Sequence, residues 1–464
     1  MQAGTHKESN LSEEHDVMVL SEGAPFPREI AKRCDLRVLP GRRITFEGVW
    51  GETPVVVKKF YGPVRGWLGV RREGGTMLSL QQRGVAVPEL LYTGRAKDGG
   101  RVCVMQKIGD GETLQAELEA CEQKDAQVDI LEIFLTHLAK LHASGVEQQD
   151  LHPGNYIRQA GKLWLLDSGQ IRLHSGAIPT RKALSQLGLV LSQHPDLEQK
   201  QWRYLVDTYF HERGMEISAA AISSVQKWQN RHLNRNMKKF LRKCMRKNSR
   251  HVRIDNPGIT AVVDREFAGA LVLERVGEDV EKYVQQGTVL KNGNTSMLVR
   301  SRIGEWDVLI KRYNHKGFFH SLRHAVKGSR AQRSWLNSHR LRLLQVNTPF
   351  PLAMIEKKRY GIVHHSYILT TFVDAEPLRS FLEHEDTSEQ VKTVVSNRVL
   401  ELLNFLKRYK VNHNDFKHTN FLVKENAPVL VDLDGMQMYR SRTLFKRRWR
   451  KDWERFMQNW EDVP

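Results

Sequence analysis

Two stretches of this chain carry an apolar rhythm of three to four residues, and each runs into the same kind of polar loop. In DILEIFLTHLAKLHASG, Ile130, Ile133, Phe134, Leu138 and Leu141 fall on one helical face. SNRVLELLNFLKRYK predicts a second amphipathic helix. Upstream of the first, the pattern shifts to short β-branched runs between turn residues. RVLPGRRITFEGVW and TPVVVKKF predict strands, with Val55, Val56 and Val57 marking a buried one. REGGTMLSLQQRG predicts a helix ending near Gly84, and VPELLYTG and RVCVMQKIG predict two more strands. RKALSQLGLVLSQ and KQWRYLVDTYFHERG predict helices beyond the loop. The second half runs in the same order. It has a hairpin in TVLKNGNTSMLVRSRIG, a strand in WDVLIKRY, a helix in SRAQRSWLNSHRLRLL and a strand in SYILTTFV, and the amphipathic helix follows. Residues 1 to about 30 predict a mobile lead-in, and Pro257 and Gly258 mark the expected break between the halves.

The loops after the two helices share a constellation. The first, VEQQDLHPGNYI…LWLLDSGQ, holds Asp150, Asn155 and Asp167, and the second, VNHNDFKHTNFL…VLVDLDGMQ, holds Asp415, Asn420 and Asp432. Each pair differs by 265 positions (415−150, 420−155, 432−167). A constant offset is the mark of an internal repeat. A lone Asp in such a loop is most often a turn residue. Finding it twice with the same Asn and second Asp argues for chemistry. Asp, Asn and Asp in this order suit a kinase-type phosphotransfer site. Asp150 and Asp415 would orient the nucleophile and accept its proton. Asn155, Asp167, Asn420 and Asp432 would hold Mg2+ on ATP. Asp167 and Asp432 each end an apolar strand, where a carboxylate needs a cation beside it.

The strand lysines complete each set. Lys58 and Lys311 would grip the ATP phosphates, and Lys59 should point to the other face of its strand. Glu73, near the start of the next helix, could anchor Lys58. Ser334 takes the corresponding place in the second copy and cannot form that ion pair. Lys417 would neutralise the transferring phosphate, where the first copy has His152. Asp434 is a reserve ligand with a structural role as the plainer reading. No G-x-G-x-x-G is present, and the turn at Gly293 is a weak substitute.

Composition narrows the partners. The 464 residues carry 72 Lys and Arg against 53 Asp and Glu, a formal net charge of +19. That balance calls for an anionic partner. Nine Lys and Arg and no acid lie between residues 231 and 250. Near the C-terminus Phe445, Trp449, Trp453, Phe456 and Trp460 follow helical spacing beside a basic face. Such a face suits lipid headgroups, and equally a terminal helix with its aromatics packed inside. Aromatics in helical register do not offer the stacking surface of a nucleic-acid binder. Cys34, Cys103, Cys121 and Cys244 lie far apart with no CxxC, which argues against a disulfide scaffold or a zinc site and for a reducing cytosol. The polar, acidic start predicts no signal peptide, and no run approaches 18 apolar residues, so any membrane contact should be peripheral.

DLHPGNYI with LLDSG, and HNDFKHTNFLV with LVDLDG, resemble the catalytic and metal loops of the protein-kinase-like superfamily. They are most similar to the bacterial lipopolysaccharide core (heptose and Kdo) kinases of the WaaP/InaA type. The resemblance implies an α+β fold of two tandem protein-kinase-like domains, each with a small β-rich N-lobe and a helical C-lobe. The expected bounds are 31–252 and 253–464. It also implies ATP and Mg2+ as cofactors and phosphorylation of a sugar hydroxyl on the lipopolysaccharide inner core, at the cytoplasmic face of the inner membrane. Two departures matter. The His before the catalytic Asp is present as His413 but is Gln148 in the first copy, and the helix Glu is Glu73 but Ser334 in the second. One active lobe beside a regulatory one is therefore the alternative, as is another small-molecule or protein substrate. The Lys58–Glu73 grip tilts the sequence reading towards the first copy.

Overall fold

The computed structural model describes residues 16–109, 111–314 and 328–458. The chain divides into two compact units, Met1–His232 and Leu233–Pro464, each of mixed α+β architecture.

The first unit opens on six antiparallel strands. Their order across the sheet is Val17–Val19, Glu29–Leu39, Arg43–Trp50, Thr53–Phe60, Arg101–Gln106 and Leu90–Arg95. Ile30, Phe46, Val55, Val57, Val102 and Val104 form its buried face. The mobile lead-in expected over residues 1–30 is thus corrected from residue 17 onward. Val17–Val19 pair with Glu29–Ala31, and Leu20 is buried in the sheet core. Residues 1–15 lie outside the described residues.

The helix Pro63–Gln82 crosses this sheet and begins nine positions before the predicted Arg72 (72−63). Pro63 in its first turn suits a helix start, whereas the glycines behind it lower the helical signal. Two of them serve close packing. A Cβ on Gly69 would lie 2.7 Å from the Phe60 ring, and one on Gly74 would lie 3.0 Å from Thr93. The helix can therefore approach the strand that carries Lys58. Below the sheet, Lys124–Ala143, Thr180–Leu191 and Gln199–Arg213 pack around Phe134, Leu138, Trp202, Tyr209 and Phe210.

The helix Ala219–Lys243 carries the division between the units. The boundary expected at 252/253 therefore moves back to 232/233. Leu233 and Met237 already pack in the second unit's core, and that burial assigns the segment. Pro257 and Gly258, expected to break a helix, instead turn a hairpin between His251–Asn256 and Ile259–Asp264, with Gly258 at φ 78°.

That hairpin edges a seven-stranded antiparallel sheet in the second unit. After it come Pro351–Arg359, Ile362–Thr371, Trp306–Tyr313, Ser296–Ile303 and Thr288–Gly293. Val263, Val299, Ile310, Leu352 and Leu369 lie in its core. The helix Arg330–Leu343 packs on this sheet, and Glu389–Arg408 anchors the helical part below it. The terminal helix Arg442–Gln458 buries Phe445, Trp449 and Phe456, with Trp453 partly covered, so its aromatic face is core. Trp460 lies outside the described residues.

The 265-residue offset extends from motif to architecture. Lys124–Ala143 answers to Glu389–Arg408, and the single turn Pro153–Asn155 to His418–Asn420. The hairpin Tyr156–Gln159 with Lys162–Leu165 answers to Phe421–Lys424 with Ala427–Leu430.

Candidate phosphotransfer sites

Strand alternation decides which lysine enters the first unit's interior. Lys58 Nζ pairs with Glu73 Oε1 and lies 3.1 Å from Asp167 Oδ1. Lys59 points to the opposite face and pairs with Asp98. The Lys58 and Glu73 side chains are only 7% and 2% exposed. Burial on its own would favour neutral Lys58, but Glu73 and Asp167 outweigh it and hold the ammonium above the usual lysine value. Burial likewise opposes the charge of Asp167. Lys58, together with the Gly169 N–H at 3.2 Å, prevails and holds that carboxyl below its ordinary range.

The loop closes on the helix as well. Ser168 Oγ donates to Glu73 Oε1 at 3.1 Å. A Cβ on Gly169 would sit 2.5 Å from Glu73 Oε2, so the network has room only for glycine there. Strand lysine and helix glutamate thus form a buried pair that the half-buried loop aspartate joins. Ser168 and Gly169 were not singled out in the sequence, although D-S-G directly after an apolar strand was a usable signal.

Asp150 is exposed, and Asn155 Nδ2 donates to its carbonyl at 2.8 Å. Asn155 O accepts from Leu166 N at 2.9 Å, which fixes the loop to the chain entering Asp167. His152 spends Nδ1 on the Gly154 N–H at 3.0 Å. Gln148, where the second copy has His413, is buried and accepts from the Tyr156 hydroxyl.

The second unit repeats the loop and alters its supports. Lys311 Nζ lies 2.6 Å from Asp432 Oδ1. Asn420 Nδ2 donates to Asp415 O at 2.8 Å, and Asn420 O accepts from Val431 N at 3.0 Å, both one repeat on from the first unit's bonds. The second unit has a further tie. His413 is fully buried and its Nε2 donates to Val431 O at 2.9 Å, joining the Asp415 loop to the strand before Asp432. Burial keeps this imidazole's pKa below the usual histidine value, hence neutral at physiological pH.

Ser334 takes the place of Glu73, and its hydroxyl pairs with the Tyr313 hydroxyl at 2.8 Å. The helix engages the metal-type loop by other means. Arg330 Nε pairs with Asp434, and Arg333 Nε donates to Asp434 O at 3.0 Å. Asn337 Nδ2 donates to Leu433 O at 2.7 Å and Met436 O at 2.8 Å. These three residues went unread in the sequence, although positions 330, 333 and 337 form one polar helical stripe. Asp434, the reserve ligand, is the anchor that Arg330 holds. Arg330 also reaches the carbonyl of Thr295, in the hairpin turn beside Gly293, at 3.3 Å.

Charge accumulates at this loop. Asp432 has left-handed backbone at φ 59°. Burial disfavours its charge, but Lys311 and a hydrogen bond from Asp434 bring its pKa down to about 2. Burial and the Asp432 charge push Asp434 the other way, above the ordinary carboxylate value. Asp415 faces cations, with Arg455 Nη1 at 2.8 Å and Lys417 Nζ at 3.4 Å from the same oxygen. Asp452 on the terminal helix accepts from the Asn414 N–H at 2.5 Å, and burial raises its pKa to about 6.

The donors suit magnesium nucleotide. Ionised Asp167 and Asp432 with the Asn155 and Asn420 amides are hard oxygen ligands, and Lys58 and Lys311 are cations placed beside them. The second unit's adjoining carboxylates, one forced up in pKa by the other, are a pair that a divalent cation would relieve. Among the described residues no helix is long and apolar enough to cross a membrane.

No curated protein matches the chain. A family model, that of the lipopolysaccharide kinase (Kdo/WaaP) family, matches residues 281–460. The matched segment lies wholly in the second unit and includes Lys311, His413, Asp415, Lys417, Asn420 and Asp432. This second site is thus similar to that of a family of lipopolysaccharide kinases, which is consistent with a phosphotransferase.

Proposed function

We propose that the second unit is an ATP-dependent kinase that phosphorylates a sugar hydroxyl of the lipopolysaccharide inner core, and that the first unit is a second protein-kinase-like copy in tandem with it. One observation carries the reading. The segment similar to the lipopolysaccharide kinases contains both the Lys311–Asp432 pair at 2.6 Å and the loop of Asp415 and Asn420 tied down through His413.

Magnesium-bound ATP supplies the phosphoryl group. Lys311 holds its phosphates, and Asn420 and Asp432 provide the oxygen ligands for the metal. Asp415 orients the acceptor hydroxyl and takes its proton as the new bond forms. Lys417 and Arg455 pair with that carboxylate and place positive charge where an anionic acceptor arrives. The net charge of +19 and the basic outer face of the terminal helix support a substrate held at an anionic membrane surface, with the enzyme peripheral to it on the cytoplasmic side.

The first unit supports a second reading of its own role. Its Lys58–Glu73–Asp167 network is complete, whereas its loop has Gln148 in place of the histidine tie. We read it as a nucleotide-holding partner that regulates or scaffolds the second. This reverses the preference drawn from the sequence, because the family match and the His413 tie both fall in the other copy.

The test is direct. The full chain is incubated with Mg-ATP and dephosphorylated inner-core saccharide, and the saccharide is weighed by mass spectrometry. The expected result is the mass increment of a phosphate that depends on ATP. Nucleotide binding without any saccharide phosphorylation would defeat the assigned substrate. Failure to bind nucleotide at all would defeat the kinase reading.

A further inference from the structure

A second chemical cluster lies in the second unit, apart from the phosphotransfer residues. Cys244 directly follows the helix Ala219–Lys243, His251 begins the first strand of the sheet, and His339 lies on the helix Arg330–Leu343. One ligand atom from each falls within 4.8 Å of the others. We propose that Cys244, His251 and His339 form a binding site for a zinc-class divalent ion that fastens the helix Arg330–Leu343 to the helix–strand junction.

The residue types fit. Thiolate and imidazole are the ligands that select zinc over magnesium or calcium. All three side chains are buried, at 0%, 4% and 6% exposure. His339 Nε2 is sealed from solvent and has no hydrogen-bond partner. Other histidines, His137 and His194 among them, also carry a buried, unpaired ring nitrogen, but among the described residues only His339 lies with a second imidazole and a thiol; a buried polar atom left unpaired carries a cost. A metal ion satisfies it with a coordinate bond. Burial keeps both imidazoles neutral, with His339 lowered to about 3 and His251 also lowered, so each carries one lone-pair nitrogen, that of His251 exchanging a long contact with Asn248 Nδ2 (3.4 Å) for the ion. Burial raises the Cys244 thiol to about 12, opposed by Arg250. Binding therefore forms an S–metal bond and releases the thiol proton to solvent.

The surroundings hold these groups in place. Trp335 Nε1 donates to Cys244 O at 3.1 Å, and the Trp335 ring meets His339 edge-on at 4.4 Å. Asn248 Oδ1 accepts from the backbone of Arg250 and His251 at 2.8 and 3.1 Å, which folds the connecting loop before any ion arrives. Tetrahedral zinc sets neighbouring ligand atoms roughly 3.5 Å apart, so closing the cluster requires a shift on the order of 1 Å. The lack of a CxxC pair argued against zinc in the sequence. Folding instead gathers ligands spread over 95 positions (339−244). Two residues before His339, Asn337 grips the loop of Asp432–Met436, so the ion would steady the helix that positions the phosphotransfer loop.

The full chain, purified under reducing conditions and stripped of metal, is titrated with Co2+ and Zn2+. We expect about one tightly held equivalent and a thiolate-to-cobalt charge-transfer band. Cys244→Ser and His339→Gln should abolish the band, while Cys34→Ser and the exposed-site control His211→Ala retain it. Zinc should raise the Tm of the wild type and leave that of Cys244→Ser unchanged. X-ray absorption at the zinc edge of the wild type, which needs no variant to fold, should show one sulfur and two imidazole ligands. Absence of the cobalt–thiolate band in the wild type, its survival in Cys244→Ser, or a sulfur-free zinc shell would overturn the proposal.

Discussion

The two Asp–Asn–Asp loops share a single turn and an Asn-to-Asp carbonyl hydrogen bond and differ in what steadies them. In the first unit the helix presents a carboxylate, and Glu73 joins Lys58 and Ser168, both buried, and the half-buried Asp167 in one network. In the second the helix presents cations and an amide. Arg330, Arg333 and Asn337 hold Asp434 and its neighbours, and Lys311 is left to pair with Asp432. The first arrangement fixes the lysine, and the second fixes the metal-type loop. The same Asp–Asn–Asp spacing is thus backed by helices that present opposite charge.

The largest expected effect separates the units by activity. Asp432→Ala should lower phosphoryl transfer by roughly 10²–10⁴-fold, the range for losing a group that acts in the transition state. Asp167→Ala should change transfer far less. Equal losses, measured as initial rates on the same saccharide, would remove the asymmetry.

Stability should show the reverse asymmetry. Glu73→Gln leaves Lys58 buried against one carboxylate and should cost about 3 kcal/mol by chemical denaturation. Ser334→Ala loses one neutral hydrogen bond and should cost about 1 kcal/mol. A larger cost for Ser334→Ala would mean that the second helix depends on Tyr313 more than on its arginines.

A pH dependence should belong to the second unit. Asp452 has an ordinary value of 3.8 and a folded value of about 6, so the folded chain binds its proton more tightly. Its contribution is favourable at low pH and is lost as pH rises from about 4 through about 6. Asp452→Asn should flatten that slope and stabilise the chain at neutral pH by about 1–3 kcal/mol. An unchanged stability–pH curve would refute the assignment. The smallest effect is expected from Arg455→Ala. Its ion pair with Asp415 is half exposed, so stability should change by less than about 1 kcal/mol in thermal melts.

Much of this was legible before folding, and the reason is local periodicity. The amphipathic helices, the strand lysines and the Asp–Asn–Asp spacing are short-range patterns, as was the place of Glu73 one helix after Lys58. What stayed hidden depends on contacts over long separations. Arg330 meets Asp434 across 104 positions, and Arg455 meets Asp415 across 40. No period in the chain announces either pair. The unit boundary was misplaced for a related reason. Pro257–Gly258 breaks a helix and turns a hairpin equally well, and only the burial of Leu233 and Met237 shows which unit owns the preceding segment. The helix Pro63–Gln82 was foreshortened because its glycines serve packing against Phe60 and Thr93.

The central claim is that the second copy transfers the phosphoryl group and the first does not. Single-turnover transfer from labelled Mg-ATP to the inner-core saccharide, compared between Asp415→Asn and Asp150→Asn in the full chain, tests it most directly. The account predicts that Asp415→Asn abolishes transfer while Asp150→Asn retains most of it. Transfer that survives Asp415→Asn and is lost in Asp150→Asn would contradict it.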